Sequence, residues 1–80
     1  MSAASEAILA LLDKRDAGAT ICPSEAARIL TDGNDGWREG MPDIHRATDR
    51  LLERGEIELS WKGRKLAARD GPYRIAKAER

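Results

Sequence analysis

The stretch Trp37-Arg38-Glu39-Gly40-Met41-Pro42-Asp43-Ile44-His45-Arg46-Ala47-Thr48-Asp49-Arg50-Leu51-Leu52-Glu53-Arg54-Gly55 decides how the rest of the chain must fold. Ile44, Ala47, Thr48, Leu51 and Leu52 recur at three- and four-residue spacing, as the apolar face of a helix does. Pro42 suits the first turn of such a helix, where a missing N–H loses no intrahelical partner, and Gly55 suits its end. His45, Arg46, Asp49, Arg50 and Glu53 fall on the opposite, outward face. Residues 37–41 are predicted to form a separate short helical turn that plugs Trp37 into the core. In a three-helix domain this is the position of a recognition helix.

Upstream, residues 5–16 are predicted to form a first helix, with Ala4, Ala7, Ile8, Leu11 and Leu12 in one apolar stripe. Ser2 or Ser5 can cap its start, and Gly18 can supply the left-handed residue that closes it. Thr20-Ile21-Cys22 is short and β-branched, which suits a small edge strand. Pro23 opens a second helix over about residues 23–31, with Glu25 at the positive end of its dipole and Ala26, Ala27, Ile29 and Leu30 inward. Asp32-Gly33-Asn34-Asp35-Gly36 is the strongest turn signal. As a calcium loop it fails, because Gly36 stands at a ligand position and Trp37 where the obligatory glycine belongs.

Downstream, Glu56-Ile57-Glu58-Leu59-Ser60-Trp61 alternates polar and apolar, which predicts a half-buried antiparallel strand with Ile57, Leu59 and Trp61 inward. Residues 72–77 form the returning strand, with Tyr73 and Ile75 inward and Arg74 placed to pair with Glu56 or Glu58. Residues 62–71 would be a long, mobile, basic loop between them. Three helices, a short first strand and a C-terminal β-hairpin make an α+β, mainly α chain in winged-helix order, with that loop as the wing.

Eighty residues make one domain, 1–80, with an ordered core expected over about 5–77, near the lower limit for a core without disulfides or metal. The chain is 41% apolar and 35% charged, as folded proteins are. One cysteine excludes an internal disulfide and suits a reducing cytoplasm. The apolar run over residues 7–12 is too short for a signal peptide or a membrane span, so no membrane partner is expected. Net charge is zero but unevenly spread. Residues 1–59 hold seven Lys/Arg against twelve Asp/Glu, a net of −5, and residues 60–80 hold seven against two, a net of +5.

Several pieces resemble a bacterial family catalogued as domain of unknown function 3253. They are Thr20-Ile21-Cys22-Pro23-Ser24-Glu25, Trp37-Arg38 with Met41-Pro42, Gly55-x-Ile57-Glu58, Lys62-Gly63 and Gly71-Pro72-x-Arg74. Their order and spacing cover about residues 6–76. The resemblance implies a winged-helix-like fold and a nucleic-acid or regulatory association. It implies no established activity.

Two clusters carry the functional reading. Arg46 and Arg50 lie one turn apart and could enter or flank a groove, although Asp43, Asp49 and Glu53 among them also suit a solvated, self-paired face. Lys62, Arg64, Lys65 and Arg69 on the wing could clamp phosphate, although charge-rich loops are common in any fold. Cys22 at a helix N-terminus could favour a thiolate, but no second cysteine is available to resolve an oxidised form, and a small hydrophobic role is simpler. Cys22 and His45 have no third group to orient them as a catalytic pair, and no cluster has zinc-ligand spacing. With a small core and no sign of a pocket, neither an enzyme nor a cofactor or small-molecule substrate is expected. Trp37 and Trp61 read as core anchors, since both take inward positions. The chain thus reads as a DNA-binding or transcription-related module, with duplex DNA as partner. The alternative is an interaction module for a protein partner or a second copy of itself.

Overall fold

A computed structural model describes residues 2–16, 18–31 and 36–78. The elements are α1 (Ala3–Asp13), β1 (Thr20–Ile21), α2 (Pro23–Leu30), α3 (Trp37–Glu53), β2 (Ile57–Trp61), β3 (Arg64–Leu66) and β4 (Arg74–Lys77). The class is α+β, mainly α, as the pattern predicts. The turn signal over residues 32–35, with its calcium-loop test, lies outside the described residues.

Helix α1 begins and ends earlier than the predicted span of residues 5–16. Ser2 is the cap, its Oγ accepting from the Ser5 N–H at 3.1 Å. Helix α2 starts at Pro23, and the Glu25 carboxylate reaches back to accept from the Cys22 N–H at 2.7 Å. That satisfies one donor the helix leaves unpaired.

Helix α3 is one unbroken run of 17 residues, not a separate turn followed by a helix. Pro42 lies within it. The proline forfeits one backbone hydrogen bond near the N-terminal end, which costs less than splitting the buried stripe Gly40, Ile44, Ala47, Thr48 and Leu51. Gly40 makes close packing on α2 possible, since a Cβ there would lie 3.2 Å from Thr31 Cγ2. At the other end Gly55 has φ of 73°, with Gly55 N–H donating to the Leu52 carbonyl and Glu56 N–H to the Leu51 carbonyl, both at 3.0 Å. This left-handed cap turns the chain straight into β2.

The sheet has the order β1-β4-β2-β3, antiparallel throughout. The expected loop over residues 62–71 is largely structured. Trp61 pairs with Arg64 across a two-residue turn in which Lys62 and Gly63 both have positive φ, 51° and 79°. Both signs match a type I′ turn, whose twist suits a tight hairpin. The basic segment is therefore divided among the turn (Lys62), the edge strand β3 (Arg64 and Lys65) and a connector over residues 67–73 (Arg69).

Ile8 and Leu12 of α1, Ile44 and Leu51 of α3, and Ile21, Ile57, Leu59 and Ile75 of the sheet form the buried core. Two inward assignments are overturned. Ile29 is 44% exposed and Trp61 is 38% exposed. Ala26 and Ala27 already fill the contact face of α2, and Trp61 extends past the covered part of β2. The expected Glu56 or Glu58 partnership with Arg74 is also absent, because the register sets Arg74 opposite Ser60. Arg74 instead donates to Thr20 Oγ1 at 2.7 Å, while Glu58 meets Lys65 at 3.1 Å and Glu56 meets Arg54 at 3.4 Å.

Candidate nucleic-acid interface

The six cations singled out by the sequence do not form one patch. Arg46 and Arg50 line a shallow groove between α3 and the N-terminus of α1, with Ser2 and Leu30. Arg46 is ion-paired with Asp43, three residues before it. Arg69 lies in a different groove, between the connector and the last turns of α3. It forms a two-pronged bridge to Asp49 at 2.7 and 2.8 Å. That bond holds the Asp49 carboxyl below its ordinary range and the Arg69 guanidinium above its own. Lys65 meets Glu58 over the sheet. Arg50, Lys62 and Arg64 carry no ion pair among the described residues.

His45 does not stand free on the outer face of α3. Its Nδ1 shares a hydrogen bond of 2.7 Å with the Tyr73 hydroxyl, and Thr48 Oγ1 lies 3.4 Å from the same hydroxyl. Desolvation foremost, then the nearby Arg69 charge, lowers the His45 pKa against the opposing pull of Asp49. Burial raises the Tyr73 pKa, opposed by its bond to Thr48. A neutral His45 supplies no fixed positive charge to a phosphate.

A second grouping was missed by the sequence reading. Trp37, Met41, His45, Trp61, Pro72 and Tyr73 wall an apolar cleft of about 310 Å³, with Cys22 and Pro23 at its margin. The Arg28 guanidinium carbon lies 5.3 Å from the centroid of Trp37, and that of Arg38 lies 4.6 Å away. Arg64 stands opposite Trp61 in the β2–β3 register, with Lys62 at the adjoining turn. These four cations have no ion pair among the described residues, and all are exposed. The one signal for this in the sequence was the adjacency of Trp37 and Arg38. Arg28 becomes a neighbour only through the packing of α2 on α3.

Among the described residues, no group of three or more His, Cys, Asp or Glu side chains could hold a metal. No helix of the described residues is long and apolar enough to cross a membrane. A family model described as protein of unknown function (DUF3253) matches residues 1–78. The chain belongs to this family. No curated protein matches it.

Proposed function

We propose that this DUF3253 chain is a cytoplasmic winged-helix module that binds nucleic acid, with duplex DNA as its target. In this reading β1, β2 and β4 are the winged-helix sheet, and the β2–β3 hairpin is the wing. The observation that carries it is the set of exposed cations Arg28, Arg38, Lys62 and Arg64, which have no ion pair among the described residues and stand beside the two tryptophans of one cleft. Lys62 and Arg64 take phosphate from the hairpin, and Arg50 contributes from α3. Arg46, Lys65 and Arg69 can join only by exchanging a carboxylate for a phosphate, which lowers their net contribution.

Fluorescence anisotropy of a labelled short duplex, followed across a salt series, tests the reading. Micromolar binding at low salt is expected, weakening steeply as salt rises. The Lys62→Ala/Arg64→Ala double variant weakens binding and flattens the salt dependence. Absence of binding at low salt, or indifference to the double variant, sinks the proposal.

A second reading, a protein–protein interaction module, draws on Ile29, a large apolar side chain 44% exposed on α2. It predicts a dimer or partner complex in sedimentation that Ile29→Asp breaks and the wing variants leave intact.

A further inference from the structure

The aromatic side chains of this protein are few, and their placement is unusual. The chain has two tryptophans, one tyrosine, one histidine and no phenylalanine. All four rings line one cleft between α2, α3 and the end of β2. A fold that needed them only for its core would bury them, yet Trp61 is 38% exposed. Tyr73 is buried, with its hydroxyl engaged by His45 and Thr48, so it forms the floor. Trp61 is left as the exposed wall, beside the half-buried Trp37.

The charges around these walls narrow the choice of occupant. Arg28 and Arg38 both lie against the ring of Trp37, and an arginine so stacked keeps its N–H edge for an anion. Arg64 is the cross-strand partner of Trp61. Glu25, next to the lining residue Ser24, is already engaged by Arg15 at 3.0 Å and by the Cys22 N–H. Glu39 and Asp70 are the neighbouring acids without an ion pair among the described residues, two against four cations. A flat apolar ring joined to phosphates matches this arrangement better than an aliphatic or proline-rich peptide, which would leave the arginines unused.

We propose that the cleft receives an unstacked base of a single-stranded nucleic-acid segment. Trp61 is the stacking surface, and Arg28, Arg38 and Arg64 hold the flanking phosphates. The proposal rests on the nucleic-acid reading above and adds a preference that a duplex-only module lacks. Base-on-aromatic stacking tolerates any sequence, because every base has a flat face. The module would therefore favour duplex ends, junctions or loops carrying unpaired nucleotides.

The test uses the full chain with a blunt duplex, the same duplex bearing a short unpaired extension, and a proline-rich peptide. The extended duplex is expected to bind more tightly than the blunt one and to quench tryptophan emission. Trp61→Ala should weaken the extended duplex by roughly 5- to 150-fold, leave the blunt duplex unchanged and abolish most of the quenching. Trp61→Phe should retain most of the preference. Thermal melting of both variants shows that the fold survives at this exposed position. Equal affinity for the two duplexes, or an equal loss for both in Trp61→Ala, overturns the base-binding cleft and leaves duplex binding standing. Failure of every nucleic acid to bind overturns both readings. Quenching by the peptide alone reassigns the cleft to a protein partner.

Discussion

The outer face of α3 and the tip of the β2–β3 hairpin each present two of the arginines and lysines expected to bind, yet their circumstances differ. On the outer face of α3, Arg46 is held by Asp43, Asp49 holds Arg69, and Arg50 has no ion pair among the described residues. At the tip, neither Lys62 nor Arg64 has an ion pair among the described residues. Helical spacing brings Asp43 within reach of Arg46, and the connector brings Arg69 onto Asp49. A two-residue turn produces the second, because it sets Arg64 opposite a tryptophan instead of a carboxylate. The density of charge along a sequence is a poor measure of the charge available to a ligand.

The largest test of that contrast compares two double variants with the same change in net charge. Lys62→Ala/Arg64→Ala is expected to weaken duplex binding about a hundredfold near 0.1 M salt, from about tenfold per lost phosphate contact. Arg46→Ala/Lys65→Ala should weaken it by less than about tenfold. Equal losses, measured by anisotropy, would show that only net charge matters and would erase the contrast.

Lys62→Asn sharpens it at one position. Lys62 holds a backbone conformation, φ of 51°, that asparagine adopts at lower cost. Stability should rise by about 0.5 kcal/mol in urea titration as that strain is relieved. Affinity should fall about tenfold with the loss of one phosphate contact. A parallel change in both quantities would remove Lys62 from the interface.

Asp49→Asn works from the other region. Freed from its carboxylate, Arg69 becomes available, and the slope of log K against log salt should steepen by about 0.9. The lost bridge is exposed, so stability should drop by less than about 1 kcal/mol. An unchanged slope would mean that Arg69 stands away from the bound phosphates.

The smallest effect concerns His45. Its folded-state pKa lies below the ordinary histidine value of about 6.5, so the unfolded chain binds more protons once the pH falls below about 6.5. Stability is therefore at its full value above that pH, declines as the pH falls, and levels off below the folded-state pKa. His45→Gln should flatten this segment of the pH–stability curve. If the variant keeps the same slope, the decline belongs to other groups.

Much of this fold could be read from local pattern. The apolar period of 44–52, the alternation of 56–61 and the placement of Pro23 and Gly55 are short-range requirements of helix, strand and cap. They were sufficient for the class, the order of the main elements, and the buried roles of Ile44, Leu51, Ile57, Leu59 and Ile75. Other features depended on competition between local and distant terms. Pro42 stays inside a helix because the packed stripe on either side outweighs one lost hydrogen bond. Lys62-Gly63 becomes a tight turn because β3 gains a ladder to β2. Trp61 has the inward parity of its strand, but parity does not say whether anything covers that part of the face.

The stretch over residues 42–55 specified its own helix and the centre of the core. Which of its charges are available was a matter of tertiary structure, because Asp49 meets an arginine 20 residues later and His45 a tyrosine 28 residues later. The cleft was likewise a product of tertiary structure. Its four rings are scattered from residue 37 to residue 73, and only the docking of α2, α3 and the sheet brings them to one wall.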